Sequence, residues 1–219
     1  MNKILLWLVV LTMSFVSVSM AELSLSESRW TQEAYDLAHS GDANKGKKLA
    51  KKCGSCHGDN GVSEDNETPS LAGQKAAYTF KQIYDYKNKI RANKTMYKKV
   101  KKINIQDMAN IAAWYQTQQG EKKMSNNSVP TMVSNGDKKR FLIACNMCHN
   151  PQVMNGGFQV PILAGQKIDY LIETLTAFKE DDRENDEYRV MRDIAKQLSE
   201  EEIKTIAKYY AAKVIIEDE

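Results

Sequence analysis

The chain has 219 residues, of which 42% are apolar and 27% are charged, and its formal net charge is +3. This balance is typical of a soluble globular protein with one or two domains. It excludes an intrinsically disordered chain and a fibrous repeat.

The first 21 residues differ in composition from the rest of the chain. Lys3 is their only charge, and Ile4–Met20 is a largely apolar run of 17 residues. Ser19 and Ala21 occupy the small-residue positions of a cleavage site, so the segment is predicted to be a secretory signal peptide. The mature protein would then lie outside the cytoplasm. The alternative is an uncleaved membrane anchor, although a spanning helix needs about 20 apolar residues.

All four cysteines lie in two pentapeptides, CGSCH at Cys53–His57 and CNMCH at Cys145–His149, which are 92 positions apart. Export would ordinarily favour two disulfides, but a disulfide gives no reason for a histidine after each pair. Cysteine pairs that share a structural zinc ion usually lie about 15 to 20 residues apart. Covalent attachment of haem c uses the whole pentapeptide, because two thiols add to the vinyl groups and the histidine binds the iron. The motifs therefore predict two haem c groups, with thioether bonds and axial ligands from the following residues: Cys53, Cys56 and His57, and Cys145, Cys148 and His149.

The 92-residue offset extends beyond the two motifs. PSLAGQ at Pro69–Gln74 matches PILAGQ at Pro161–Gln166. Three single residues also match at this offset, namely Tyr78 with Tyr170, Lys87 with Lys179 and Arg91 with Arg183. The offset then becomes 95, because the second copy has three extra residues in its acidic stretch Glu180–Glu187. One domain is therefore present twice. We predict an N-terminal extension at residues 22–40, domains at 41–119 and 137–219, and a linker at 120–136.

The predicted elements are helical in both copies. Apolar residues follow the helical period along Ala76–Tyr86 and Met108–Tyr115, and along the matching segments of the second copy, Ile168–Phe178 and Ile203–Tyr210. Ser199 with Glu202 forms a capping box, and Asn104 with Asp107 a weaker version of it. Short helices before Cys53 and Cys145 are predicted to complete three helices per copy. No segment alternates long enough for a sheet, so the predicted fold class is all-α, and a haem would give each small unit an apolar centre.

The second axial position of each iron needs a ligand from outside the CxxCH motif. His39 is the remaining histidine and has no counterpart in the other copy, so we expect it at the surface. Among the methionines, Met108 matches Ile203 and is expected in the core, whereas Met96 matches another methionine, Met191. We therefore predict Met96 and Met191 as axial ligands. The alternative is that both fill gaps in the core.

Together, the CxxCH motif, the proline 12 residues after it, LAGQ and the methionine before the last helix resemble a class I cytochrome c domain. The tandem arrangement, from about Gly41 to the C-terminus, is similar to the dihaem cytochrome c4 family. This resemblance implies that the carbonyls of Pro69 and Pro161 accept a hydrogen bond from Nδ1 of the ligand histidine. It also implies a periplasmic electron carrier, often loosely held at the inner membrane, that feeds terminal oxidases of a respiratory chain. The second copy departs from the pattern, since HNPQV lacks the glycine that follows His57.

Arg91 and Arg183 are predicted to bind haem propionates, because guanidinium groups bind carboxylates bidentately. The alternative is a solvated pair of arginines.

The predicted coordination indicates the function. If histidine and methionine fill both axial positions, no site is open for a substrate, and the protein carries electrons between a quinol- or substrate-oxidising donor and an oxidase or reductase. Two alternatives remain open. One is the dihaem subunit of a sulfur-compound dehydrogenase, similar to flavocytochrome c, and the other is a dihaem enzyme with one open haem.

Charge is distributed unevenly between the halves. Residues 22–125 contain 18 Lys and Arg against 12 Asp and Glu, whereas residues 126–219 contain 12 against 16. We expect the basic first domain, with KNKIRANK at 87–94 and KKVKK at 98–102, to dock an acidic redox partner, and the acidic second domain to face another. A solvated helix face is the alternative. Nucleic acid is not an expected partner, because the chain is predicted to be exported and has no nucleic-acid motif.

Overall fold

The computed structural model describes residues 31–120, 128–150 and 160–211. The predicted signal peptide lies outside these ranges, as do residues 22–30 of the predicted extension and part of the predicted linker. Within the described ranges, no helix has the length and apolar character required to cross a membrane. Regular structure in these ranges is helical, apart from one isolated antiparallel bridge between Asp137 and Leu142. The predicted all-α class is therefore confirmed.

The helices follow the duplication. The first half contains α1 (Gln32–His39), α2 (Ala43–His57), α3 (Ala76–Lys87), α4 (Lys94–Val100) and α5 (Ile105–Thr117). The second half contains α6 (Thr131–Ser134), α7 (Asn146–His149), α8 (Ile168–Lys179), α9 (Val190–Ala195) and α10 (Glu200–Ala211), with a short 3-10 turn at Glu187–Arg189 before α9.

The first core forms where α2 and α3 pack against α5. Its most completely buried large side chains are Phe80, Met108 and Tyr115, so Met108 is a core residue as predicted. Gly46 allows α2 to approach α5 closely, since a Cβ atom there would lie 1.9 Å from the carbonyl oxygen of Asn110. The helix that carries the first CxxCH motif is therefore fixed against the centre of its domain.

Part of the N-terminal extension is a helix that belongs to this core. Thr31 caps α1, and Ala34 and Ala38 are fully buried where α1 packs against α3 and α5. His39 is exposed, and its Nδ1 lies 2.8 Å from the carbonyl oxygen of Tyr35. The prediction of a surface histidine is confirmed.

The second core contains residues of α6, α8 and α10. The predicted capping box starts α10, because the Glu202 amide donates to Ser199 Oγ at 3.2 Å and the Ser199 amide donates to a Glu202 carboxylate oxygen at 2.8 Å. Helix α6 falls inside the predicted linker, and its Val133 is fully buried in this core. The second domain therefore includes part of the segment predicted to join the two copies.

The predicted helix before Cys145 is wrong. Only α7, Asn146–His149, is helical there, and the preceding residues turn so that the Asp137 and Leu142 amides each donate to the other's carbonyl at 2.9 Å. The sequence contains the reason. A Gly-Asp pair precedes the motif in both copies. Asp42 lies 11 positions before Cys53 in the first copy, whereas Asp137 lies only 8 positions before Cys145 in the second. This shorter segment adopts a turn stabilised by the Asp137 side chain, which accepts hydrogen bonds from the Lys139 and Arg140 amides.

Candidate haem sites

Helix α2 positions the first motif. Cys53 and His57 are four residues apart on the last turns of α2, so their side chains project from the same side of the helix. The helix ends at Gly58, which has a φ of 78°, and a Cβ atom there would lie 2.0 Å from the carbonyl oxygen of Val62. Only glycine fits this turn without strain. In the second copy Asn150 follows His149 with a φ of −72°, so the chain leaves the motif along a different path.

Both motif histidines are held by a backbone carbonyl. Nδ1 of His57 lies 2.8 Å from the Pro69 carbonyl oxygen, and Nδ1 of His149 lies 2.9 Å from that of Pro161. A carbonyl oxygen can only accept, so Nδ1 carries the proton and Nε2 keeps a free lone pair. Burial lowers the pKa of both histidines, which favours the neutral ring that a metal requires.

No disulfide joins the four motif cysteines. Burial raises the pKa of Cys53, and it raises the pKa of Cys145 to about 11. Two repeated tyrosines lie beside these thiols. The Tyr210 hydroxyl donates to the Asn146 side chain at 2.8 Å, whereas the Tyr115 hydroxyl is buried beside the Cys53 thiol.

Each predicted methionine ligand lies in the first turn of a short helix. Met96 is half-buried on α4, where its amide donates to the capping side chain of Asn93 at 2.9 Å, and it packs against the same core as Cys53. Met191 is half-buried on α9, two residues after Arg189. Tyr188 and Arg189 have φ values of 54° and 60°. Left-handed residues other than glycine are uncommon and cluster at functional sites.

These residues fit the predicted cofactor. Each half supplies two cysteine sulfur atoms, a buried histidine with a free Nε2, and a half-buried methionine with a soft thioether sulfur. Both histidines contact the carbonyls of Pro69 and Pro161, as the resemblance to the cytochrome c4 family predicts.

The two halves are joined by a symmetric pair of glutamines that sequence reasoning missed. Gln74 donates to the Ile162 carbonyl at 3.0 Å and accepts from the Ile162 amide at 3.0 Å. Gln166 makes the same two bonds to Ser70, at 3.0 Å and 2.8 Å. Both glutamines are the last residue of the repeated LAGQ segment. Their match at the 92-residue offset is the feature of the sequence that could have indicated this contact.

Arg91 and Arg183 meet the opposite half of the chain. Arg91 donates to the Tyr170 hydroxyl at 3.2 Å and Arg183 to the Tyr78 hydroxyl at 3.2 Å, and both arginines also donate to Gln82. Arg91 also stacks on the Tyr86 ring, with 4.8 Å from its Cζ atom to the ring centroid. Burial alone would raise the pKa of Tyr170, but the two arginines lower it to about 7.

The fold and the sites define a c-type cytochrome with two haem-binding halves. The family model for cytochrome c matches residues 43–122. Cytochrome c4 of Pseudomonas aeruginosa is 35% identical over 185 residues, which cover 79% of this chain and 90% of that protein. The chain belongs to the cytochrome c4 family. It binds two haem c groups and transfers electrons.

Two further comparisons extend this result. The crystal structure of reduced recombinant cytochrome c4 from Pseudomonas stutzeri matches with a TM-score of 0.72 and 30% identity, covering 78% of this chain and 98% of that chain. A thiosulfate dehydrogenase electron acceptor from Stutzerimonas stutzeri is 28% identical over 199 residues, which cover 87% of this chain and 91% of that protein.

Proposed function

We propose that the protein is a periplasmic carrier in which His57 and Met96 bind one haem iron, and His149 and Met191 bind the other. Cys53, Cys56, Cys145 and Cys148 form the thioether bonds. The observation that supports this assignment best is that each motif histidine is held through Nδ1 by a proline carbonyl, which leaves Nε2 for the iron. The haem iron supplies a reversible one-electron couple, and methionine ligation favours its reduced form. We retain residues 41–119 and 137–219 as the two repeated units, and we add α1 to the first domain and α6 to the second, since both helices contribute buried residues to those cores.

We further propose that Arg91 and Arg183 bind haem propionates. Arg183 is only 6% exposed, and neither arginine has an ion pair within the described ranges. A buried cation is costly unless an anion compensates it. The propionates would supply that anion at both positions, and guanidinium groups suit carboxylates. The burial of Arg183 does not support the alternative of a solvated pair.

We also propose that an acidic redox partner docks on the face of α4 that carries Met96. Six lysines are exposed on and beside this helix, and none of them has an ion pair in the described part of the chain: Lys89, Lys94, Lys98, Lys99, Lys101 and Lys102. The corresponding face of the second half is neutralised, since Lys196 and Arg189 both pair with Asp181, at 2.6 Å and 3.4 Å. An uncompensated basic face attracts an acidic surface and speeds its association.

The relative that accepts electrons from thiosulfate dehydrogenase supports a second candidate for the donor. On this proposal a sulfur-compound dehydrogenase reduces the protein in place of a quinol-oxidising complex. The rates of reduction of the holoprotein by each purified donor would decide between them.

Carbon monoxide tests the proposed ligands, because it binds ferrous haem only where the sixth position is open. We expect the visible spectrum of the ferrous holoprotein to be unchanged by carbon monoxide at neutral pH. Met96→Ala and Met191→Ala should each allow one haem to respond, whereas the matched core variant Met108→Ala should allow neither. A response corresponding to one haem in the unaltered protein would contradict the assignment and would favour an enzyme with one open haem.

A further inference from the structure

A buried polar cluster lies where α3 meets the second half. Asp85 and Asn185 are 2% and 3% exposed, and Lys81 is 6% exposed. The Lys81 ammonium forms an ion pair with Asp85 and donates to the Asn185 carbonyl at 2.9 Å. The Asn185 side-chain amide donates to Asp85 Oδ2 at 2.6 Å and to Gln82 at 3.0 Å. Asp85 Oδ2 therefore accepts from two donors, as expected of an ionised carboxylate.

The cluster extends to one of the two interface arginines. Arg183 Nε donates to the Asn185 side-chain oxygen at 2.8 Å, while its terminal nitrogen reaches Tyr78 and Gln82. Asn185 thus connects Arg183 to the carboxylate of Asp85. This chain of contacts couples a guanidinium of the second half to an ion pair of the first half.

The duplication provides no counterpart for this cluster. At the 92-residue offset, Glu173 and Ala177 replace Lys81 and Asp85, and Asn185 lies in the acidic stretch where the second copy has three extra residues. On the other side Arg91 donates to Gln82 and Tyr170, and no carboxylate pairs with it among the residues that the structure describes. Two arginines that are equivalent in sequence therefore have different electrostatic surroundings.

A buried charge acts over a longer range than an exposed one, because little water or salt screens it. A negative charge disfavours the addition of an electron nearby. We propose that Asp85, positioned by Lys81 and Asn185, makes the two haem sites electrostatically unequal and thereby sets which haem holds the electron in the half-reduced protein. This inference rests on the proposed function, in which Arg91 and Arg183 serve the haem propionates.

The test is a potentiometric titration of the holoprotein, resolved into two reduction potentials. In Asp85→Asn the positive charge of Lys81 is left uncompensated, so both potentials should rise, and that of the second haem, next to Arg183, should rise more. The equilibrium constant for electron exchange between the haems should change about three- to tenfold, where tenfold corresponds to 59 mV. The double variant Lys81→Met with Asp85→Asn removes both charges, so the constant should shift in the same direction as in Asp85→Asn but by a smaller factor. A return to the original constant would show that the intact ion pair does not bias the haems and would overturn the proposal.

Two further variants serve as controls. Glu173→Gln makes the same charge change as Asp85→Asn, but at the exposed position equivalent to Lys81, where water should keep the constant within about twofold. Asn185→Ala keeps every charge and removes the side chain that connects Arg183 to Asp85. It should change the constant in the same direction as Asp85→Asn, and it carries the test if Asp85→Asn does not fold.

The outcomes separate this inference from the proposed ligation. The equilibrium constant for electron exchange could be unchanged in Asp85→Asn or Asn185→Ala while the haem spectra and the unfolding midpoint stay normal. This result would overturn only the proposed role of Asp85. A double variant that shifts the constant as much as Asp85→Asn would show a structural effect in place of an electrostatic one, and would also overturn it. Carbon monoxide binding by the unaltered protein would instead contradict the proposed ligation, and the present inference with it.

Discussion

Replacing Gln74 by alanine should weaken the contact between the two halves and destabilise the protein. The substitution removes two hydrogen bonds to the Ile162 backbone and one that the side chain accepts from the Lys75 amide at 3.0 Å. An unpaired buried polar group costs about 1–3 kcal/mol. Gln74 is 6% exposed, so water reaches this site poorly. Since Ile162 is only half-buried, we expect a total loss of about 2–4 kcal/mol.

The repeat supplies an internal comparison. Gln166→Ala removes the matching bonds to Ser70, but Gln166 is half-buried and water can replace part of them, so the loss should be about 1–2 kcal/mol. Gln106→Ala is the control, because that side chain is exposed and, within the described ranges, makes one long hydrogen bond, of 3.4 Å.

The assay is denaturant unfolding of the holoprotein, followed by circular dichroism and by the haem absorbance. The expected order of destabilisation is Gln74→Ala, then Gln166→Ala, then Gln106→Ala, the last within about 0.5 kcal/mol of the unaltered protein. If Gln74→Ala lowers the free energy of unfolding no more than the Gln106→Ala control, the argument that these hydrogen bonds hold the halves together is refuted.

Two other predictions follow from the charges. The Arg140 hydrogen bonds lower the pKa of Glu202 to about 2, from an unfolded value of about 4.3, so this group stabilises the fold above that range and the contribution is lost as pH falls towards 2. Glu202→Gln should therefore lower the melting temperature at pH 7 and make little difference near pH 2, and an equal loss at both pH values would contradict this assignment. Lys98→Gln with Lys99→Gln should slow reduction or oxidation by an acidic partner several-fold at low salt, and high salt should remove the difference. Lys48→Gln with Lys51→Gln makes the same charge change on α2, and an equal slowing there would argue against a docking site on α4.

Much of the fold could be predicted because its determinants are local. The apolar period along α3 and α8 indicated those helices, and the Ser199 capping box marked the start of α10. Repeat symmetry separated Met108, which is fully buried, from Met96. The helix expected directly before Cys145 does not form, because only 8 positions separate Asp137 from Cys145, whereas 11 separate Asp42 from Cys53.

The contact between the halves was less accessible from the sequence. Repetition shows that two units are alike, but it does not show which surfaces they turn towards each other. Arg91 and Arg183 were predicted only in relation to haem, although each also reaches a tyrosine of the opposite half. Lys81 and Asp85 lie on a helix where charged residues would ordinarily face water. Their burial depends on Asn185, which is 104 and 100 positions away, respectively.

The paired glutamines also affect how the protein can be dissected. The carbonyls that hold His57 and His149 belong to Pro69 and Pro161, and the next residue after each, Ser70 or Ile162, is bonded by a glutamine of the other half. Each domain therefore supports the loop that orients its neighbour's motif histidine. A domain produced alone would lose this support. The spectrum and reduction potential measured on an isolated domain would then reflect a relaxed loop. The values from the two isolated domains would therefore differ from those of the same haems in the intact protein.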